Sequence, residues 1–448
     1  MTPPDLSGFS GLGIAPGLLT AITKLGFTEP TPIQLRSIPV AIEGKDMIGV
    51  AQTGTGKTMA FGIPMIQRLA QVKGQGLIVL PTRELALQVD EALHSIGKGI
   101  GLRTAVLIGG ASMYNQQQMI RKNPHIIIAT PGRLIDHLEQ KFVRLDQVKV
   151  LVLDEADRML DMGFAPQVNR ILTDVPKERQ TMLFSATMPN EIVAIAQKHM
   201  QLPVRVEIAR SGTAAANVVQ ELFFIGKEAK TMLLEQLLRT TPGSVLVFTR
   251  TKFSAKKLSR RLHDQGFTSS EIHSDRSLAQ RRAALDGFKS GRFRVLVATD
   301  IAARGIDVTN IELVVNYDLP TNPEDYVHRI GRTGRAGLSG RAVSFATFDQ
   351  RGDVRDMERI MRTTLRVSPL PNLPPQPATV RPAIRPPFAS SQPQQQSAPQ
   401  RYQQSTGPRR QQQFPSRQRR PKFQGRRPQA SQRAPHRDEA PRTGFTQF

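Results

Sequence analysis

AQTGTGKT, Ala51 to Thr58, is the stretch on which the reading of this chain turns. An apolar run, Met47 to Val50, leads into a turn carrying Gly54 and Gly56, and a helical pattern begins near Lys57. A strand that ends in a glycine turn at a helix N-terminus lines up successive backbone N–H groups around an anion. Glycine lets a phosphate approach the backbone, Lys57 brings a point charge to the β- and γ-oxygens, and the Thr58 hydroxyl suits Mg²⁺. Ala51 stands where the general pattern has glycine. Further on, Val148 to Leu153 is a continuous apolar run ending in Asp154-Glu155-Ala156-Asp157. Two carboxylates are therefore expected where a buried parallel strand emerges, one placed to hold Mg²⁺ through water and the next to orient a water.

A chain of 448 residues with 39% apolar content predicts about two or three domains with sizeable cores. It has no cysteine, which excludes disulfides and cysteine-ligated zinc and favours an intracellular protein. The start, MTPPDLSGFSG, lacks a basic region followed by an apolar stretch, and no long uncharged apolar run follows. Neither export nor a membrane span is expected, and the compartment implied is the cytoplasm. The net charge of +24 points to a polyanionic partner, because phosphates neutralised by Lys and Arg release counterions. From Pro369 onward there are fourteen Lys and Arg against two acids, so about half of the excess lies in the tail.

Near the start, Leu18, Leu19, Ile22 and Leu25 fit one face of a helix that stops at Gly26. Pro30-Thr31-Pro32-Ile33-Gln34 then reads as a rigid loop displaying Phe27 and Gln34 side by side. An aromatic face stacks a purine, and a glutamine amide matches the donor and acceptor edge of adenine. Strand-like runs then alternate with helical ones: 77–80, 104–108, 125–129, 148–153 and 181–184. This is the pattern of a parallel α/β sheet, whose ligands bind at the carboxyl ends of the strands. The unusual words fall there: AQTGTGKT, Pro81-Thr82-Arg83-Glu84, Gly109-Gly110, Thr130-Pro131-Gly132-Arg133, Asp154 to Asp157 and Ser185-Ala186-Thr187.

Ala209 to Asn217 is small, polar and aperiodic, and reads as a linker. A second series follows at 218–224, 244–248, 268–272, 294–298, 311–316 and 341–345, as if repeating the first half. After 244–248, at the point taken as equivalent to the glycine-rich loop, stands Thr249-Arg250-Thr251-Lys252, which cannot cradle a triphosphate. In HRIGRTGR, Arg329, Arg332 and Arg335 suit phosphate charge presented across a cleft, the alternative being an RNA-facing or solvated basic turn. From Pro369 the composition shifts to Pro, Gln, Arg and Ser, which predicts a disordered segment whose scattered aromatics allow loose stacking on single-stranded bases.

In this order, GFTEPTPIQ, AQTGTGKT, PTRELALQ, TPGR, DEAD, SAT, VFTRTK, ATDIAARGIDV and HRIGRTGRAG resemble a DEAD-box ATP-dependent RNA helicase, most like the bacterial RhlE-type subgroup. In that family alanine is usual at the start of the phosphate loop; His273-Ser274-Asp275 departs from the family's usual His-Gly. The resemblance implies two tandem RecA-like α/β domains with parallel sheets, binding ATP, Mg²⁺ and RNA in the cleft between them. By position it implies that Phe27 stacks on adenine and Gln34 bonds its edge. Ala51, Gln52, Thr53, Gly54, Thr55, Gly56, Lys57 and Thr58 hold the phosphates, with Thr58 and Asp154 on the metal and Glu155 as general base. Asp307 contacts the nucleotide, Arg332 and Arg335 are arginine fingers, and His328, Ser185 and Thr187 link hydrolysis to RNA. Pro81, Thr82, Arg83, Gly110, Thr130, Arg133, Thr249 and Thr299 match positions near the RNA backbone.

The expected organisation is a lead-in at 1–30, a nucleotide-binding domain at 31–208, a linker at 209–217, a second domain at 218–368 and the basic tail at 369–448. The expected activity is RNA-stimulated ATP hydrolysis coupled to local, short-range unwinding or remodelling of RNA–protein complexes. The alternatives are a clamp or remodeller that unwinds little, and a DNA-directed helicase. RNA is the expected partner, with ribosome-assembly or RNA-decay proteins as further ones and no membrane.

Overall fold

The computed structural model describes residues 8–52, 54–208, 218–303, 308, 311–334 and 339–372. Among them are two parallel sheets of seven strands. The first contains β1 (Met47–Val50), β2 (Gln75–Val79), β3 (Thr104–Leu107), β4 (Ile126–Ala129), β5 (Val148–Leu153), β6 (Gln180–Ser185) and β7 (Val204–Glu207), ordered β3-β4-β2-β5-β6-β1-β7. The second contains β8 (Val218–Phe224), β9 (Ser244–Phe248), β10 (Ser269–Ile272), β11 (Val295–Ala298), β12 (Ile311–Asn316), β13 (Gly340–Ala346) and β14 (Arg366–Val367), ordered β10-β11-β9-β12-β13-β8-β14. The two orders are one permutation written twice, so each half is a RecA-like α/β lobe and the second repeats the topology of the first.

Side chains alternate across a strand, and here both faces are covered by helices. Leu77, Val79, Ile127, Ala129, Leu151 and Leu153 enter the core on one face of the first sheet. Their neighbours Ile78, Ile126, Ile128, Val150 and Val152 enter the core on the other. That double burial is why these strands read as unbroken apolar runs. Leu246, Leu296 and Val314 and their neighbours Val245, Val247, Val295, Leu313 and Val315 divide between two cores in the second lobe in the same way.

The repeat corrects one equivalence drawn from the sequence. The counterpart of β1 is β8, so the segment matching the glycine-rich loop is Ile225 to Ala229, with Gly226 as its one glycine. Thr249 to Lys252 follows β9 and corresponds to Pro81 to Glu84 after β2. The stretch around Gln34 is also not a loop: a helix runs Pro32–Ile42, with Pro32 where a missing N–H costs nothing and Gln34 accepting the Thr31 N–H at 3.0 Å. The lead-in helix, Pro16–Lys24, buries Leu18 and Ile22 and ends before Leu25, which is 42% exposed. β7 and β14 are edge strands that the sequence did not announce: one has four residues, of which only Val206 is buried, and the other has two residues.

The lobes touch through side chains far apart in sequence. Arg281 Nη2 lies 2.8 Å from Glu84 Oε2, Arg282 Nη2 lies 3.3 Å from Glu91 Oε1, and Arg158 Nη1 donates to Asp325 Oδ1 at 2.6 Å.

Candidate functional site

Every strand of the first sheet from β1 to β6 ends at a chemically distinctive turn, and the parallel order brings those turns to one edge. β1 runs into Ala51, whose N–H pairs with the Ser185 carbonyl, and the loop follows. Gly54 and Gly56 sit at φ +82° and +92°, backbone that glycine adopts without steric cost. The helix Lys57–Gln71 starts immediately after, with the Thr55 hydroxyl donating to the Gln52 carbonyl at 2.7 Å. Gln34 donates from Nε2 to the Gly56 carbonyl at 3.1 Å. Both atoms of its amide thus brace the loop and its own helix start, while Phe27 presents an exposed ring.

Lys57 is 6% exposed, its Nζ has no hydrogen-bond partner among the described residues, and it stands 3.9 Å from Asp154 Oδ1. An ammonium held dry with its donors unmet fits an anion that brings several acceptor oxygens. Burial pushes the Asp154 carboxyl up to about 6; Lys57 opposes that shift and Glu155 adds to it. A carboxyl held in this way gains from a cation that offsets its desolvation. Thr58, on the first turn of the helix, is half-buried. This donor set fits a polyphosphate at Lys57 and a hard divalent cation at Asp154 and Thr58.

Glu155 adopts φ +50°, ψ +49° at the start of the short helix Ala156–Asp161, a left-handed conformation costing an ordinary residue about 1–2 kcal/mol. Its N–H is held by Asp154 Oδ1 at 2.9 Å and its side chain is buried. Strain of this kind collects where a side chain must be aimed.

Asp157 binds the acidic turn to the end of β6. Its Oδ2 accepts the Ala186 N–H (3.1 Å), the Thr187 N–H (2.9 Å) and the Thr187 hydroxyl (2.9 Å), and its own N–H donates to Ser185 Oγ at 3.3 Å. The sequence pointed to Ser185 and Thr187 and passed over Asp157. The signal available was a third acid directly after a buried strand.

The next turns form a polar rim. Thr82 caps the helix Arg83–Gly97 by accepting the Leu85 N–H at 3.3 Å, beside buried Pro81. The Arg83 guanidinium lies over Gly109 and Gly110, where a Cβ would collide with it. Arg133 donates to the Ala111 carbonyl at 3.1 Å, and Thr130 precedes its helix, Pro131–Glu139. Behind this rim Gln116 donates to the Ile108 carbonyl at 3.0 Å and its Oε1 faces His137 Nε2 at 3.2 Å.

In the second lobe, the helix Pro323–Ile330 carries His328 and Arg329 and leads to Arg332. Arg329 does not present charge across a cleft. It is 2% exposed, grips Asp300 through two bonds of 2.5 and 2.7 Å, donates to Asn316 Oδ1 and the Asp318 carbonyl, and lies over the Phe248 ring. Arg332 is buried with Nε donating to the His328 carbonyl at 3.3 Å, and His328 is half-buried. Thr249 is fully buried, its hydroxyl directed at the Thr251 carbonyl, and Thr299 is half-buried at the end of β11. Thr53, Asp307 and Arg335, with the linker 209–217 and most of the tail, lie outside the described residues.

Residues 31–195 match the DEAD/DEAH box helicase family and residues 229–337 the helicase conserved C-terminal domain. The chain is 43% identical over 371 residues to the DEAD-box ATP-dependent RNA helicase CshA of Bacillus cereus, covering 82% of this chain and 71% of that one. It is 44% identical over 368 residues to the ATP-dependent RNA helicase CshA of Listeria monocytogenes, covering 82% and 70%. Among solved structures it is similar to S. cerevisiae Dbp5 bound to RNA and ADP BeF3, with 33% identity, TM-score 0.74 and coverage of 81% and 96%. It is also similar to Mss116p bound to ssRNA and AMP-PNP, with 29% identity, TM-score 0.73 and coverage of 80% and 78%.

Proposed function

Since this chain belongs to the DEAD-box ATP-dependent RNA helicase family, an ATP-hydrolysing enzyme acting on RNA, we propose that it couples closure of its two lobes on ATP and RNA to local strand separation. The observation that carries this reading is the buried Lys57 ammonium, without a hydrogen-bond partner among the described residues, beside the desolvated Asp154 carboxyl at the mouth of a glycine loop. Phe27 stacks on the adenine, Gln34 holds its edge and braces the loop, and the backbone from Ala51 to Thr58 encloses the phosphates. Thr58 and Asp154 would hold Mg²⁺, which would supply positive charge to offset the negative charge of the phosphates. Glu155 takes the proton of the attacking water as its oxygen bonds to the γ-phosphorus and the bridging oxygen leaves with ADP. Arg332 and Arg335 stabilise the γ-phosphoryl charge from the second lobe, and Asp307 contacts the nucleotide there. An arginine finger contributes about 10³–10⁵ in rate, so catalysis requires closure.

RNA favours closure by bridging Pro81, Thr82, Arg83, Gly110, Thr130 and Arg133 on the first lobe and Thr249 and Thr299 on the second. His328, Ser185 and Thr187 relay its presence, the last two through Asp157. By linkage, ATP tightens RNA as much as RNA tightens ATP. The domains are 31–208 and 218–368, joined by 209–217. The Arg- and Gln-rich residues 369–448 support the finer placement beside the bacterial RhlE-type helicases, with ribosome-assembly or RNA-decay proteins as partner classes and the cytoplasm as compartment. The test is Glu155→Gln, which is expected to lower turnover by about 10²–10⁴ while ATP binding is kept. Unchanged phosphate release contradicts the assignment.

A further inference from the structure

We propose that Arg158 and Asp325 are positioning residues for RNA-stimulated hydrolysis, forming an ion pair that exists only in the closed enzyme and seats the arginine-bearing helix on the acidic turn. This rests on the closure reading above and names a joint through which it acts. The two residues lie on different lobes, meet at 2.6 Å and are almost fully buried, with side chains 4% and 10% exposed. Each is tied rigidly to its own sheet. Arg158 donates its N–H to Asp157 Oδ1 at 3.0 Å, and the other oxygen of Asp157 holds Ala186 and Thr187 at the end of β6. Asp325 sits in the helix that Arg329 fastens to Asp300, Asn316 and the Asp318 carbonyl. A displacement at the arginine-bearing helix thus reaches, through this pair, the turn that carries Asp154 and Glu155.

The charges around this joint are unequal. Arg158 adjoins Asp157 and pairs with Asp325; Glu324, next along the helix, lies within electrostatic reach of Asp157, Asp161 and Arg158. Burial raises the Glu324 carboxyl above its ordinary range, and the neighbouring Asp161 and Asp157 add to that. Among the described residues Arg158 faces acids from both lobes, and its loss brings like charges together across the interface. Loss of the Asp325 charge is milder, because Asp157 and Glu324 still face Arg158.

The experiment uses the full chain and four proteins: wild type, Arg158→Gln, Asp325→Asn and the double variant. Each is measured for ATPase rate at saturating RNA, for affinity to a fluorescent ATP analogue without RNA, and for the factor by which a non-hydrolysable analogue tightens RNA. The account expects Arg158→Gln to lower the RNA-stimulated rate and that factor by about tenfold or more, and Asp325→Asn by less, with nucleotide affinity without RNA unchanged. The double variant is expected to be no worse than Arg158→Gln, and Arg158→Lys to retain most of the function. Wild-type coupling in both single variants, or penalties that multiply in the double variant, overturns the proposal. If Arg158→Gln does not fold, Asp325→Asn decides alone, since it leaves the Asp157 cradle intact, and unchanged coupling there contradicts the pair's role. If wild type itself shows no stimulation by RNA, the proposed function fails rather than the ion pair.

Discussion

Arg329 and Arg332 share one basic turn, and their surroundings separate them. The sequence grouped both with Arg335 as phosphate-facing because spacing and charge are all that a linear reading contains. The partners of Arg329, on β12, at Asp318 and at Asp300, come from separate elements and meet only in the fold. Arg329→Ala leaves a carboxylate and an amide facing an empty buried site, so it is expected to destabilise the second lobe by about 3–5 kcal/mol, measured by denaturant unfolding. The buried histidines carry a second prediction. Burial, and then Arg103, lower His125 to about 4, and its Nδ1 accepts the Arg103 N–H. Burial also lowers His137, His199 and His273. A histidine whose folded pKa lies below its unfolded value of about 6.5 favours the unfolded state as protons are added. The histidine contribution to stability is therefore expected to fall as pH drops from about 6.5 toward 4, opposed by the raised carboxyls of Asp154 and Asp46, and His125→Gln to lessen the loss on acidification relative to wild type; an identical pH dependence of the two melting temperatures contradicts this.

At the scale of elements, the strands and the glycine turn after β1 were legible because parallel burial makes strands unbroken apolar runs and a left-handed turn favours glycine. β5, β8, β9 and β12 lie where the apolar runs ended. The edge strands β7 and β14 were not legible, since one buries a single residue, Val206, and the other is too short to show a period. The helix Pro32–Ile42 was hidden by its prolines, which mark a loop in isolation but here occupy a helix start and an interior position. The Gln116–His137 pair was equally silent, because two polar residues on separate helices show no pattern until they are packed. That pair fixes the Ile108 carbonyl behind the Gly109–Ala111 turn, which Arg83 and Arg133 flank. Gln116→Leu is expected to weaken RNA binding several-fold while ATP affinity holds, read by RNA titration against nucleotide titration. Equal loss of both would assign the pair to general stability.

For the whole molecule, the repeated strand order gives two lobes of one architecture, to which the proposed function assigns different tasks: nucleotide binding to the first and completion of the site to the second. The second lobe keeps the architecture but has one glycine where the first has its loop. The sequence disclosed the repeat, but it misaligned the loop because strand order in the sheet is not order in the chain. The basic residues beyond Pro369 act at this scale too. Deleting residues 370–448 is expected to weaken RNA affinity and flatten its salt dependence while basal ATPase is kept, and an unchanged salt slope contradicts a phosphate-binding role for them. The central claim is that RNA drives the closure that completes the catalytic site. Its most direct test is the steady-state ATPase rate with Mg²⁺ alone, with single-stranded RNA and with single-stranded DNA of the same sequence. The account predicts strong stimulation by RNA and little by DNA. Equal stimulation by both, or a high rate with neither, would contradict it.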